Sequence, residues 1–364
     1  MVAHAQMPGA GERPKFLGAL SCASSSCHGG GGEHQNQYLI WSVQDFHSQR
    51  PVATLATARS RQIADALQIT DPTTDAHCTS CHAPLQDVPQ PRRGAAFSAG
   101  EGVSCESCHG PAENWLRAHT RTDWAHADRV FAGMRDLQNL YVRANTCVAC
   151  HQTVAQPLLQ AGHPELIFEM DGQCAAEPKH WRETAAWNRA QSWLAGQAVA
   201  LREMSWQLAI EKQPDARLIA RWRALLWLVQ KMDGLDPALP GLGKISTADN
   251  LENFLATKLA ADALARTAAN LTWNDGLSRK TLMRLAGTGG DFSSDADAGE
   301  LPARRAERLV LALDRLLLTQ KQPPPAAEHN LNQLFKLAQS VPDFDPAAFA
   351  ATLNQFADSL KTNP

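Results

Sequence analysis

Apolar residues recur at steps of three and four positions through the second half of the chain, as in amphipathic helices that pack together. Gly-, Pro- and Ser-rich stretches at 236–243, 287–302 and 322–327 separate these rows. We therefore predict a bundle of five to seven helices in which the tryptophans are core residues. The row of Leu251, Leu255 and Leu259 is expected to face that core.

The first half of the chain lacks this periodicity. Residues 22–151 are rich in Gly, Pro, Ser and Thr, so this stretch cannot bury enough apolar surface to fold on its own side chains. We expect a cofactor to supply its core. The predicted fold class is mainly α, with residues 1–15 as a leader remnant or disordered segment, 16–175 as a cofactor domain with little regular structure, and 176–364 as an all-α helical bundle.

Three short stretches identify the cofactor. Each reads C-x-x-C-H, the attachment signature of c-type haem: Cys78-Thr-Ser-Cys81-His82, Cys105-Glu-Ser-Cys108-His109 and Cys147-Val-Ala-Cys150-His151. The two thiols add to the porphyrin, and the next histidine binds the iron as proximal ligand. A zinc site or a disulfide framework does not require a histidine after every second cysteine. The motifs therefore predict covalent haem at these three places.

A fourth stretch keeps the Cys-His end and lengthens the loop. Cys22 and Cys27 are separated by Ala23, Ser24, Ser25 and Ser26, and His28 follows. These inserted residues are small enough to bulge outward, so we predict a fourth haem here; the alternative is a flexible Gly/Ser loop with two spare thiols. The chain would then hold four haem c groups and use eight of its nine cysteines. Cys174 is expected to be an idle or buried thiol.

Charge and hydropathy limit the partners and the location. The 34 Lys and Arg nearly balance the 37 Asp and Glu, which argues against nucleic acid or anionic membrane as the main partner. No apolar run approaches a membrane span. Thioether haem is made outside the cytoplasm, so we predict an exported, periplasmic protein. Ala3-His4-Ala5 has the form of a signal-peptidase site, and the mature chain is expected to begin near Gln6.

The remaining histidines are candidates for the second axial ligand of each iron. A filled sixth position suits electron transfer, whereas an open one can bind a substrate. His77 can hardly reach over its own haem, His4 lies in the expected leader, and His329 starts a distant helix. Six serious candidates remain, namely His34, His47, His119, His126, His163 and His180.

One stretch resembles a known family. GVSCESCHGPAENWLRAH, residues 102–119, resembles the third haem segment of the tetrahaem cytochrome c-554 family of ammonia oxidisers, where a histidine also follows ten residues after the motif histidine. Trp41, His47 and the order of the four haem sites extend the similarity over roughly residues 16–170. The helical half has no counterpart in that small cytochrome, and longer multihaem proteins with a Gly-His-Pro after the last motif look like nearer relatives.

The resemblance implies a ligand for three of the haems. His119 would bind the first haem, His47 the last, and a histidine after the fourth motif the third. His163, between a glycine and a proline, fits this last role, unless it is a turn histidine bonded to backbone. The second haem is five-coordinate in that family. Here its sixth ligand is predicted to be His180, with His126 and His34 as alternatives.

The predicted function is electron transfer between periplasmic redox proteins through closely spaced haems, mostly with two histidine ligands and therefore low in potential. An electron carrier is favoured over an enzyme. One alternative is a nitric oxide or hydroxylamine reductase at an open second haem, with His77, Asp75 or Arg92 supplying protons. Another is a haem subunit of a larger respiratory complex. In that case the bundle would be an adaptor with an exposed apolar patch too large for a monomer.

Overall fold

A computed structural model of the chain describes residues 13–33, 35–292, 300–339 and 343–361. Helices dominate it, and the described residues form one isolated β-bridge, between Phe16 and Arg93, and no longer strand. The mainly-α prediction is confirmed. The α-helices are α1 Gln37–Val43, α2 Arg50–Leu55, α3 Ala58–Ala66, α4 Ala76–His82, α5 Cys105–His109, α6 His126–Phe131, α7 Leu140–His151, α8 Gln156–Gln160, α9 Met170–Ala176, α10 Arg189–Ile210, α11 Ala216–Gln230, α12 Leu251–Asn270, α13 Asp275–Ala286, α14 Leu301–Leu317, α15 Pro325–Ala338 and α16 Pro346–Ser359. Short 3₁₀ turns occur at Ala19–Cys22, Gln90–Arg92 and Gly289–Phe292.

The chain divides into two compact units that interleave along the sequence. The first unit contains the described residues up to Leu137, together with Pro157–Pro164 and Glu177–Arg182. The second contains Gln138–Gln156, Glu165–Ala176 and the described residues from Glu183 onward. The two domains predicted from the sequence, 16–175 and 176–364, are each one uninterrupted segment, whereas each compact unit is made of several segments. The domain boundaries stay a prediction.

Short helices with polar caps build the first unit. The Asp75 carboxylate caps α4 by accepting from His77 N at 2.9 Å, and Ser104 and Ser107 form a capping box at α5. Helices of five to nine residues are too short to persist without tertiary packing. Both α4 and α5 end at the histidine of a haem motif, so the local fold presents that histidine at a helix end.

Helix α10 is the centre of the second unit. It packs antiparallel to α12: Gln191 Nε2, near the start of α10, donates to Ala268 O at 3.0 Å and Leu271 O at 2.8 Å, near the end of α12. The buried side of α10 contacts Trp222 of α11, whose Nε1 donates to Ser205 Oγ at 3.0 Å. The largest fully buried side chains of the described residues all belong to this unit: Trp193, Trp222, Phe168, Phe349, Phe356, Met170, Leu194, Leu201, Met204, Leu208, Leu225 and Leu226.

The predicted orientation of α12 is wrong. Leu251, Leu255 and Leu259 are 57%, 44% and 71% exposed rather than buried. Helix α12 turns a different row toward α10, which includes Ala261, Ala265 and Ala268. These small side chains allow the two helix backbones to approach closely, so the bulkier leucines lie on the outer side.

Among the described residues, every helix is too short or too polar to cross a membrane.

Candidate functional site

The first unit contains a cavity of about 300 Å³ that gathers residues of two haem motifs. Cys22 and His28 come from the first motif, and Cys105, Cys108 and His109 come from the third. A volume of this size lies at the lower end of the range for buried small-molecule and cofactor sites. The other lining residues are Gln37, Tyr38, Trp41, Asp45, His47, Val103, Ser104, Trp115, Leu116, His119, Met134, Glu177, His180 and Trp181.

His28 and His119 face each other across this cavity. Their ring centroids are 6.1 Å apart, and the ring planes differ by 19°. Two imidazoles bound to one metal at the usual nitrogen distance of about 2.0 Å would have centroids roughly 6 Å apart. The chain therefore brings together the proximal histidine of the first motif and its predicted distal ligand at a spacing that fits one iron between them.

Hydrogen bonds fix the tautomer of both rings. His28 Nδ1 lies 2.9 Å from Gln37 Oε1, and His119 Nδ1 lies 2.6 Å from Leu116 O. Each Nδ1 must carry the proton because its partner is an acceptor, which leaves Nε2 as the nitrogen that can bind a metal. Such outer hydrogen bonds orient histidine ligands in metal sites generally. Hydrogen-bonded turns hold His119, whose N donates to Trp115 O at 2.9 Å.

The long loop of the first motif closes on itself. Cys27 N donates to Ser24 O at 2.9 Å and His28 N donates to Cys22 O at 3.1 Å, while Ser24, Ser25 and Ser26 are exposed. The insertion therefore bulges outward and returns the chain beside its starting point. Gly29 permits this closure, because a Cβ at that position would lie 1.9 Å from Ala23 O.

A buried carboxylate ties the first motif to the third. Glu106, between Cys105 and Cys108, accepts hydrogen bonds from the backbone N–H groups of Leu17, Gly18 and Ala112 at 2.7 to 2.9 Å. This pairing satisfies three donors that burial would otherwise leave unpaired. The interaction between the Cys22 and Cys105 thiols lowers the pKa of Cys22 and raises the pKa of Cys105. Sequence reasoning missed Glu106; the signal was a charged residue inside a haem motif.

His109 is held in the form that binds metals. Desolvation by the surrounding protein lowers its pKa to about 4, and the neighbouring His180, His28 and His119 act in the same direction. The imidazole is therefore neutral at ordinary pH, as a ligand must be before it binds a metal.

His47 lines the same cavity beside two carboxylates. Its Nδ1 lies 3.1 Å from Asp45 Oδ1 and 3.5 Å from Glu177 Oε1, and these hydrogen bonds raise the pKa of His47 to about 10. A carboxylate on Nδ1 is a common support for a histidine that binds metal through Nε2. Because the raised pKa keeps this imidazole protonated at neutral pH, it must release the Nε2 proton when it binds a metal. The backbone is fixed as well, since Val103 N donates to His47 O at 2.8 Å.

His180 also lines this cavity, which contains residues of the first and third motifs, whereas the sequence predicted a role at the second haem. Its electrostatic influence on His109 places it near the third motif. Ligand atoms of Asp45, Glu177 and His180 lie within 4.8 Å of one another. The ring packs edge-on against Trp181, with centroids 5.2 Å apart, and its buried Nδ1 has no hydrogen-bond partner among the described residues. The predicted role of His180 at the second haem stays a prediction that no contact supports.

The second motif, Cys78, Cys81 and His82, lies on α4. His82 Nδ1 is 2.9 Å from Pro51 O in α2, which again leaves Nε2 for a metal. The turn that carries His163 lies near this group of helices, because Arg59 of α3 donates to Gly162 O at 2.8 Å. His163 itself is half-buried, and its Nδ1 lies 2.9 Å from Pro164 O.

The fourth motif, Cys147, Cys150 and His151, belongs to the second unit and ends α7. Asn139 caps this helix, and Arg143 holds Glu183 through two hydrogen bonds of 2.9 and 3.0 Å. His151 Nδ1 lies 3.5 Å from Gln173 Nε2. The pairing of His47 with this motif stays a prediction.

Among the described residues, His126 and Cys174 do not line the cavity. His126 lies 3.2 Å from Asp136 at the surface, and Cys174 packs beside the bundle core. His4 and His34, the latter an alternative ligand for the second haem, lie outside the described residues, as does the expected leader cleavage site.

Residues 21–110 match the family described as "Cytochrome c554 and c-prime", a stretch that includes the first three motifs. This match confirms the resemblance and indicates a c-type cytochrome of electron transfer with covalently bound haem c. Comparisons with curated proteins and with solved structures gave no significant match.

Proposed function

We propose that this protein is an exported electron carrier that binds four haem c groups, one at each Cys-His motif. The observation that carries the proposal is the facing pair His28 and His119, whose spacing and hydrogen-bonded Nδ1 atoms suit an iron with two histidine ligands. An iron coordinated on both sides passes electrons without opening a site to substrate. We therefore favour a carrier over an enzyme.

The chain's own residues would attach, orient and shield the cofactors. The motif cysteines would hold the porphyrins through thioether bonds, and His28, His82, His109 and His151 would be proximal ligands. The bound haems would supply reversible one-electron chemistry. Trp41 and Trp115, both buried beside the cavity, would keep water from its walls. Restricting water in this way lowers the local dielectric and helps set the reduction potential.

The distal ligands follow from position. His119 is proposed for the first haem. His180 is proposed for the third, because it lines the cavity with His109 and is the charged neighbour that most lowers the pKa of His109. His163 is proposed for the second, because Arg59 ties its turn to the helices around His82. This exchanges the two roles expected from the sequence. His47 keeps its proposed role at the fourth haem, where the argument rests on the family resemblance.

Export and partners follow from the same chemistry. Thioether haem is attached outside the cytoplasm, so the proposed location is the periplasm or its equivalent. The near-neutral charge balance favours protein partners over nucleic acid. The donor and the acceptor are proposed to be periplasmic redox proteins.

The ligand role of His119 can be tested by spectroscopy. His119→Ala should convert one low-spin haem to high-spin in the electron paramagnetic resonance spectrum of the oxidised protein, without changing the haem count. The control is His126→Ala, which removes an exposed histidine seven residues further on and should change nothing. An unaltered spectrum in the His119 variant would overturn the pairing of His28 with His119.

Carbon monoxide separates a carrier from a reductase. If all four irons have two protein ligands, the reduced protein should not bind carbon monoxide quickly. His163→Ala should then open the second haem to carbon monoxide, and His180→Ala the third. Rapid binding by the unaltered protein would mean an open iron and would favour the nitric oxide or hydroxylamine reductase.

A further inference from the structure

The outer side of α12 carries an apolar row that the described residues leave uncovered. Leu251, Leu255 and Leu259, here called the leucine row, are spaced four residues apart and are all exposed. Repetition at four positions forms a continuous ridge on a helix. The sequence pattern is that of a buried helix face, yet no element in the described ranges covers this face.

Helix α10 extends the same apolar surface. Arg202 of α10 bonds to Asp262 of α12 at 2.8 Å, and the helices are antiparallel. Because both helices rise equally per residue, Trp206 lies level with residue 258, and Ile210 lies level with residue 254. These two are the exposed residues of α10, at 42% and 59%. The most exposed side chains of α10 are therefore two large apolar residues that lie level with the leucine row.

The leucine row, Trp206 and Ile210 together form one apolar surface rather than isolated exposed side chains. It joins five large apolar side chains that are 42% to 71% exposed. The largest apolar patches on monomeric proteins cover roughly 300–600 Å² and are often functional. A stable interface covers about 800 Å² per partner, so neighbouring polar residues must also take part. A surface of this size suits a dimer that forms and dissociates with concentration.

The charges beside the leucine row make it complementary to itself. Glu252 and Lys258 are three residues before and after Leu255, which places them about 60° to either side of it around the helix. Neither forms an ion pair within the described part of the chain. When the i±4 ridges of two helices pack, the helices cross at about −50°. A two-fold axis along the rows then brings Glu252 of each copy to Lys258 of the other.

We propose that the protein forms a dimer in which the leucine row of one copy packs on the same row of a second copy, flanked by two Glu252–Lys258 ion pairs. The contact is isologous, because each surface meets itself. This proposal goes beyond electron transfer and does not depend on the haem ligands. In this proposal α10 and α12 form the dimer interface. The dimer then contains two copies of the fourth haem motif, one on α7 of each chain.

Sedimentation velocity of the full holoprotein over a range of concentrations tests the dimer. The unaltered protein should shift from monomer to dimer as concentration rises. Leu255→Glu should abolish the shift, because it places two carboxylates at the axis. The matched control is Leu318→Glu: Leu318 is 53% exposed at the end of α14, and the same change there should leave the dimer intact. A monomer at every concentration, or a dimer that tolerates Leu255→Glu, would overturn the proposal.

Charge exchange tests the orientation of the two copies. Glu252→Lys or Lys258→Glu alone replaces each of the two ion pairs by a pair of like charges. Either variant should raise the dissociation constant of the dimer about tenfold. Both changes together restore opposite charges and should return the dissociation constant close to its original value. A double variant as weak as the singles would overturn the ion pairs and the crossed arrangement. Circular dichroism of each variant checks that α12 remains folded.

Discussion

The two units of this protein are stabilised in different ways. In the first, buried polar groups join short segments: Glu106 accepts three backbone hydrogen bonds, and Asp45 holds His47. In the second, a single apolar cluster runs through the helices, with Trp193 and Trp222 fully buried. A unit with so little apolar core needs another source of burial, and haem can supply it. We therefore expect haem attachment at the motif cysteines to contribute to folding as well as to redox chemistry.

The largest expected effect comes from withholding haem. Protein produced without haem attachment should lose the structure of the first unit and keep most of the second, because only the second has a core of its own side chains. Hydrogen exchange should show fast exchange in α1–α6 and protection in α10–α14. Equal loss of protection in both units would remove the contrast between them.

A core truncation should act on the second unit. Trp222 is fully buried, packs edge-on against Phe254 at 5.0 Å and donates to Ser205 Oγ. Trp222→Ala should lower the free energy of unfolding by about 3–5 kcal/mol, measured by denaturant titration with far-ultraviolet circular dichroism. Trp206→Ala is the control, because Trp206 is partly exposed, and it should cost less than about 1 kcal/mol below the concentration of dimer formation.

A smaller loss is expected from the polar clamp of the first unit. Glu106→Ala leaves the N–H groups of Leu17, Gly18 and Ala112 without an acceptor, and each buried unpaired donor costs about 1–3 kcal/mol. We expect a total near 3 kcal/mol, since water will reach some of them. Glu113→Ala is the control, because that exposed carboxylate bonds only to Lys15 N in the described contacts. Similar thermal unfolding of both variants would contradict a clamp at Glu106.

The smallest expected effect is a pH dependence in the second unit. Burial and the nearby Asp171 raise the pKa of Glu169 from 4.5 to about 7. A raised carboxyl pKa adds stability below pH 4.5 that is lost as pH rises to 7. Glu169→Gln should remove this fall, which is about 3–4 kcal/mol at most for this change in pKa. We expect about 2 kcal/mol, since water that reaches the ionised carboxylate reduces the cost of burying it. The measurement is the difference between variant and unaltered protein in melting temperature from pH 4.5 to 7. Parallel profiles would mean that Glu169 does not titrate in this window.

The sequence predicted what local spacing controls and missed what distant contacts control. The motif cysteines and histidines are adjacent in the chain, so their chemistry could be predicted directly. The pair His28 and His119 could be expected only through the family resemblance. His163 and His180 could not be placed, because each lies on a segment whose position depends on contacts across more than fifty residues.

The leucine row shows the same limit in the bundle. Its spacing predicts a buried face, but the spacing does not say whether the cover comes from the same chain. The alanines of α12 face inward because their small side chains let α10 pack closely. The orientation of α12 is therefore determined by the distance between the two helix backbones. Such competition between two apolar faces of one helix cannot be resolved from periodicity alone.

The central claim is that each of four Cys-His motifs holds a haem, including the lengthened one at Cys22 and Cys27. The mass of the purified, denatured protein tests it most directly, because thioether bonds survive unfolding. The predicted result is the polypeptide mass plus four haems, falling to three in Cys27→Ser. A mass with three haems in the unaltered protein, and alkylation of both Cys22 and Cys27, would contradict the account.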